Sequence, residues 1–316
     1  ACAVAELSEL REGLRYLSGP GSEDDVYWIE RDAGGRLSAF RGSPVAVDRI
    51  FADFLDEAVG AAVFTSATIA RGERFDGTME TLGVRFSSHE VRSLVTTPPF
   101  DPAERCLLLL GGGGGGDPNA PERAGDIAGL CEALARRLGR RSMVLFTSYR
   151  MCLATARLLA GRGMMPGPVL VQEPGKSREA LAGRLRAEPG ATLLGVASFW
   201  EGVDFPGEEL EVLVIPKLPF PVPDEPIVEA RAERLRRFGE DPFEHLFLPA
   251  AIRRLRQGMG RLIRRRTDRG VVVIMDERID RRSYGKTILE ALPVPARRAP
   301  GIGDVVDRAA AWFERG

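Results

Sequence analysis

Three side chains in the stretch QGMGRLIRRR, residues 257 to 266, have the right types to handle a phosphate: Gln257, Arg261 and Arg264. Read as a helix, positions i, i+4 and i+7 share a face, so one amide and two guanidinium groups would point the same way. Guanidinium groups match phosphate oxygens two at a time and stay charged. Gly258 and Gly260 would each weaken such a helix by about 1 kcal/mol, a cost that fits a place where another backbone or a ligand must come close. A plainer reading makes Arg264, Arg265 and Arg266 complements to the negative end of a helix dipole. That reading leaves Gln257, Arg261 and the glycines without a reason.

Other polar groups collect just past apolar runs. After ATLLGVAS come Glu201, Gly202 and Asp204, two carboxylates suited to a metal, a ribose hydroxyl or an arginine. FTSAT brings Thr65, Ser66 and Thr68 to a second run's end, and LFTSYR brings Thr147, Ser148 and Tyr149 to a third. Hydroxyls, backbone amides and an aromatic ring are what a groove for a single-stranded phosphate backbone needs. The same Ser and Thr residues also suit helix caps.

The elements that must position these groups follow from periodicity. Apolar runs at AVFTSA, CLLLL, SMVLFTS, GPVLVQ, ATLLGVAS, EVLVIPK and GVVVIMD alternate with helical stretches near residues 47–60, 122–139, 149–162, 177–187, 225–238, 243–264 and 280–291. This pattern predicts an α/β domain with a doubly wound, mostly parallel sheet, helices on both faces, and ligands at the carboxyl ends of the strands. Ahead of it, Leu7, Leu10, Leu14 and Leu17 mark an amphipathic helix, and residues 26–42 read as a hairpin around Gly34 and Gly35. Six glycines at 111–116 lack the defined spacing and following Lys of a phosphate loop, and read as a linker. VVVIMDE and SYGKT imitate nucleotide motifs, but Asp280, Arg281 and Arg282 stand where a phosphate loop needs small residues. Asp276 and Arg278 are expected in a local polar network instead, with Lys286 on an exposed helix face.

Composition narrows the setting. Across 316 residues, 44 Lys and Arg nearly cancel 45 Asp and Glu, so attraction to nucleic acid must come from local patches. Cys2, Cys106, Cys131 and Cys152 form no C-x-x-C pair, which argues against zinc or a cluster and fits a reducing, cytoplasmic setting. No apolar run approaches the roughly 20 residues that cross a bilayer, so no membrane partner is expected. The opening ACAVAELSEL lacks a Met, which suggests a piece of something longer.

In their order and spacing, TSAT, VLFTSY, SFWEGVDFPG and QGMGRLIRRRTDRGVVVIMDER resemble motifs III to VI of superfamily 2 helicases, specifically the DinG and XPD branch. The continuation through Asp268, Gly270, Asp276 and Arg278 to YGKTILEALP, and VIPKLPFPVPDEPI after the fifth motif, are similar to that branch too. The resemblance implies the second, RecA-like motor domain of an ATP-dependent DNA helicase over residues 46–316. Residues 1–45 would be an arch-domain remnant helix and the hairpin leading in. Arg261 and Arg264 would reach the ATP phosphates, one as an arginine finger, with Gln257 assisting and Glu201, Gly202 and Asp204 linking nucleotide to nucleic acid. Thr65, Ser66, Thr68, Thr147, Ser148, Phe199 and Trp200 would couple or touch the strand.

By the same resemblance, ATP and Mg2+ would be shared with an N-terminal motor domain, and an iron-sulfur cluster would belong only to that half. Neither a Walker A nor a DEAH box is present in these residues, so the chain alone is expected to be inactive. Single-stranded or forked DNA, 5′–3′ movement and a monomeric state are the implied partners and behaviour. A non-catalytic nucleic-acid or partner-binding module with remnant motifs is the alternative, and a small-molecule NTP-dependent transferase a weaker third.

Overall fold

The structure is a computed structural model that describes every residue except 1, 20–23, 33, 67–68, 71–73, 97–98, 114–115, 164, 197–198, 201–204, 206 and 316. The side chains of residues 2–6 also lie outside the described set. In chain order the elements begin with α1 (Cys2–Ser18), β1 (Asp25–Arg31), β2 (Leu37–Pro44), α2 (Asp48–Ala58), α3 (Asp76–Thr81), β3 (Cys106–Gly111), α4 (Arg123–Leu138), β4 (Ser142–Leu145), α5 (Tyr149–Arg162) and β5 (Val169–Val171). They continue with α6 (Arg178–Ala187), β6 (Thr192–Gly195), β7 (Val212–Ile215), α7 (Pro226–Arg237), α8 (Leu248–Met259), β8 (Gly270–Ile274), α9 (Arg278–Arg281), α10 (Tyr284–Ala291), β9 (Ala296–Ala299) and α11 (Ile302–Glu314).

The chain divides into two compact units, residues 1–96 with 221–249, and residues 97–220 with 250–316. In the first, β1 and β2 form the expected antiparallel hairpin. Gly42 leaves room for the Tyr16 and Tyr27 rings, since a Cβ there would lie 2.8 Å from each. Its small core includes Val45, Ala52, Leu55, Val228 and Ala232. Arg231 of α7 donates to the Val45 carbonyl at 3.0 Å. The helices expected at 47–60 and 225–238 therefore belong to this unit. Residues 46–96 likewise fall in the first unit. The strand expected at AVFTSA, residues 62–67, is not seen: residues 62–66 join no ladder among the described residues. Apolar alternation cannot by itself make a strand, whose N–H and C=O groups need a partner.

The second unit is the predicted doubly wound α/β fold, RecA-like, with seven strands in the order β5-β6-β4-β7-β8-β3-β9. Every described pairing in it is parallel. Leu107, Leu109, Val144, Val214, Val271 and Val273 share one core with α4, α5 and α11. The alternate residues Leu108, Met143, Leu193, Leu213 and Val272 are 0% exposed and, by the two-residue period, line the other face. A parallel sheet buried on both faces needs such continuous apolar runs, which is why the strands were legible. β9 and α11 add to the expected set; Ala-Arg-Arg-Ala reads as polar because β9 is an edge strand.

Three thiols, Cys106, Cys131 and Cys152, are buried and free. Burial pushes each up to about 12, which makes them poor nucleophiles and poor metal ligands at neutral pH. Among the described residues no helix is long and apolar enough to cross a membrane.

Gly270 opens β8 where Leu262 is fully buried, and a Cβ at 270 would lie 2.3 Å from the Leu262 Cδ2. Gly270→Ala is expected to destabilise the chain by about 1–3 kcal/mol through overpacking, read as a lower urea midpoint. An unchanged midpoint would show that the packing around Leu262 relaxes freely.

Candidate functional site

The helix expected to run to residue 264 stops at Met259. Past it, Arg261 N–H donates to the Gly258 carbonyl at 3.2 Å and Leu262 N–H to Met259 at 3.0 Å, a tightened i−3 turn. Gly260 sits at the turn, where a Cβ would press on the Arg256 carbonyl at 3.2 Å. Gln257, Arg261 and Arg264 thus do not share one helical face. The glycines have reasons other than helical spacing: Gly258 lies beneath the Trp200 ring, which a Cβ would meet at 3.4 Å, and Gly260 permits the turn.

Trp200 ties this turn to the sheet. Its indole Nε1 donates to the Phe146 carbonyl past β4 at 3.2 Å. Its own carbonyl accepts from Arg261 Nε at 3.2 Å and Nη2 at 2.8 Å. Arg261 is 6% exposed, Trp200 4% and Phe199 0%. Gly195 makes room for Phe199, whose Cβ would lie 2.9 Å from a Cβ at that position. Both rings are buried within the second unit. Gln257 Oε1 is also buried and finds no hydrogen-bond partner among the described residues.

Arg264 differs from Arg261: its side chain is exposed. Its backbone is fixed by Asp268, whose Oδ2 accepts the N–H groups of Arg264 and Arg265, each at 2.8 Å. Asp268 itself is 2% exposed. A buried carboxylate that takes two N–H groups sets the loop's course and so aims the guanidinium. Residue spacing gave no role to Asp268; a lone acid closing an arginine-rich turn was the available signal.

Beyond the strands, the chain order reverses between β4 and β7: β4 leads toward β6 and β5, while β7 leads toward β8. Such a switch point opens a crevice at the carboxyl ends. It is lined by Thr147, Ser148, Arg150, Pro216 and Lys217, with Pro118 and Asn119 from the loop after β3. Ser148 caps α5 by accepting from Met151 N–H at 3.4 Å, the plainer of its two expected roles. Lys217 Nζ donates to Asn119 Oδ1 at 2.7 Å and Arg150 to the Asn119 carbonyl at 3.1 Å. Burial, reinforced by Arg278, pulls the Lys217 pKa down. Tyr149, at the exposed start of α5, is held by Gln172, whose amide nitrogen donates to its hydroxyl at 3.4 Å and whose Oε1 accepts from Val196 N–H at 2.7 Å.

One strand further on, buried Asp276 accepts the Leu218 N–H at 2.8 Å and pairs with Arg278 at 2.6 Å, the local network anticipated for them. Lys286 lies exposed beside Glu290 at 3.7 Å. Of the remaining candidates, Thr68, Glu201, Gly202 and Asp204 lie outside the described residues, and Thr65 and Ser66 belong to the first unit. Thr147, Ser148, Phe199, Trp200, Gln257, Arg261 and Arg264 all belong to the second.

The two arginines should separate in a stability measurement. Arg261→Met keeps most of the volume but strips the Trp200 carbonyl of its donors, and is expected to cost about 1–3 kcal/mol. Arg264→Met, on the surface, should stay within about 0.5 kcal/mol. Equal losses in urea denaturation would contradict the assignment of Arg261 as the structural member.

The 3′-5′ exonuclease DinG of Bacillus subtilis (strain 168) is 35% identical over 286 residues, covering 89% of this chain and 30% of that protein. The ATP-dependent DNA helicase YoaA of Escherichia coli (strain K12) is 34% identical over 293 residues, covering 93% of this chain and 44% of its own. The chain therefore spans less than half the length of each of these two relatives. A solved XPD helicase is 21% identical, covers 61% of this chain and 35% of its own, and superposes with a TM-score of 0.47. A family model described as the helicase C-terminal domain matches residues 131–294. That span runs from within α4 to just past α10 and takes in β4 to β8, Trp200, the end of α8 and Asp268. More than half of the chain lies in the match, and the chain belongs to the helicase C-terminal domain family.

Proposed function

We propose that this chain is the C-terminal motor half of an ATP-dependent DNA helicase, with Arg264 as its arginine finger. The observation that carries the reading is the contrast between the two arginines: Arg261 is buried on the Trp200 carbonyl, whereas Arg264 is exposed on a backbone pinned by Asp268. An exposed cation carried on a fixed backbone is what a transferring phosphoryl group needs, and such a group is worth about a thousandfold or more in rate. Arg261 is then a positioning residue.

The residues present suit ATP as substrate in two respects. Arg264 supplies an exposed guanidinium. Gln257 offers a buried acceptor with an unmet hydrogen-bond need, which matches the proton of an attacking water better than a phosphate oxygen, itself an acceptor. In this reading ATP and Mg2+ sit between this domain and an N-terminal motor domain of the same polypeptide. Closure of the two domains on ATP would move Arg264 against the γ-phosphate. Trp200, bonded to both Phe146 and Arg261, would pass that movement to the crevice of Thr147 and Ser148, where single-stranded DNA lies. The family resemblance supports 5′–3′ movement. A non-catalytic nucleic-acid module with remnant motifs is the alternative, and an upstream reading frame without a phosphate loop and an acidic DEAH-type box would favour it.

The test uses the longer polypeptide that carries this chain. Arg264→Ala should lower DNA-stimulated ATP hydrolysis about a thousandfold or more while ATP binding changes only a few-fold. Near-normal turnover would remove the finger. Forked substrates with a 5′ tail should be unwound and those with only a 3′ tail should not; the opposite preference would reverse the polarity.

A further inference from the structure

The chain has two histidines, and one of them, His89, stands in the first unit with an oxygen facing each ring nitrogen. Its Nε2 lies 3.0 Å from the carbonyl of Val59, the residue that ends α2. Its Nδ1 lies 3.0 Å from Asp56 Oδ1 and 3.0 Å from Ser87 Oγ. Ser87 gives its single hydroxyl proton to Asp56 Oδ1 at 2.5 Å, and its oxygen accepts the His89 N–H at 3.2 Å. None of these oxygens is then left with a proton for the ring. A neutral imidazole carries one N–H, so in either tautomer its bare nitrogen would press a lone pair against an oxygen at 3.0 Å. We infer that His89 is held as an imidazolium, a proton-dependent clasp that ties the end of α2 to the bend at 87–89 and so fixes where the stretch of Thr65 and Ser66 begins.

Two further features favour the charged ring. Val59, whose N–H still bonds the Leu55 carbonyl at 3.2 Å, marks the C-terminal end of α2, the negative pole of the helix dipole, where a cation is stabilised. Asp56 takes the Ser88 N–H on both oxygens, at 3.1 and 3.0 Å. The Ser87 hydroxyl and the Ser88 N–H pull the Asp56 pKa down to about 2, so the ring faces a full negative charge.

The surrounding charges lean the same way. By helical spacing Asp53 shares the Asp56 side of α2, and Glu57 follows it. The nearby cations are engaged elsewhere. Arg49 and Arg85 lie over the Phe86 ring, 4.7 and 4.8 Å from its centroid, Arg85 also pairs with Glu80 at 3.5 Å, and Arg92 pairs with Glu90 at 3.0 Å. The His89 and Asp56 side chains keep 34% and 31% exposure, so the proton equilibrates with water without unfolding. Beyond Val59, residues 62–66 join no ladder among the described residues, and the anchored carbonyl sets their point of departure. The inference goes beyond the proposed function and does not rest on it.

The experiment follows both histidines of the 316-residue chain by ring-nitrogen NMR over a range of about pH 5.5 to 8.5. Across that range Asp56 stays ionised, and the three buried thiols, at about 12, stay protonated. His245→Gln leaves one set of signals and so assigns His89. His89 should keep protons on both nitrogens at pH values where the exposed His245 has already lost one, and Asp56→Asn should remove that lag. A proton bound more tightly by the folded chain than by the unfolded one stabilises at low pH and ceases to do so as pH rises. Amide-exchange protection of α2, corrected for intrinsic rates, should therefore fall about tenfold from the acid to the alkaline end of the range. His89→Gln should start at the lower level and stay flat. Loss of the proton from His89 and His245 together would overturn the clasp, as would wild-type protection that is level or rises with pH. So would a His89→Gln chain that keeps the wild-type slope. Arg264→Ala in the longer polypeptide tests the finger separately, since neither result bears on the other.

Discussion

The carbonyl of Trp200 is the group on which the arrangement depends. A buried guanidinium is tolerable only when its donors are met, and Arg261 places two of them on a main-chain oxygen whose residue is tied by its indole to Phe146. Two segments far apart in sequence, the end of β4 and the turn after α8, are thereby locked to one residue. Gly258 admits the ring, Gly195 admits its neighbour Phe199, and Gly270 admits Leu262 on the far side of the same turn. Remove any of these spaces and the turn that carries Arg264 loses its seat.

The sheet decides where everything else can be. Because β4 and β7 are adjacent but lead in opposite directions, their carboxyl ends are left uncovered, and the polar residues that follow them have nowhere to go but the crevice. The same rule extends to β8 and β3, whose following loops wall a second cleft. Asp276 and Asn119 act as local fasteners along that edge, one for Arg278 and the Leu218 N–H, the other for Lys217 and Arg150.

Much of the second unit was legible because a parallel sheet covered on both faces writes unbroken apolar runs into the chain, and six of the seven runs named became strands. AVFTSA failed for want of a ladder partner, which no local pattern encodes. The excursion at 221–249 is not assignable from sequence because its helix has the same periodicity whichever unit it packs against. At the site, residue types put forward Arg261 and Arg264 together and the resemblance added Trp200, but none of these signals foretold that Arg261 would be buried against the Trp200 carbonyl. Helical spacing promised a shared face, and two glycines with a buried Leu262 dismantled it. Asn119 and Gln172 were invisible, and Asp268 was named without a role, since each acts by holding a backbone or a single distant side chain.

The interleaving of the two units has a consequence for biosynthesis. The first unit lacks α7 until residue 237 has been made, and by then five strands of the large sheet, β3 to β7, already exist. Those five cannot yet form one sheet, because β8 is the strand that joins β7 to β3. Both units are thus incomplete at the same stage of synthesis, with apolar edges awaiting late-arriving partners. A chain of this design must wait for residues 270–274 before its large sheet can close, and shielding of the β7 and β3 edges until β8 emerges becomes the step most exposed to aggregation.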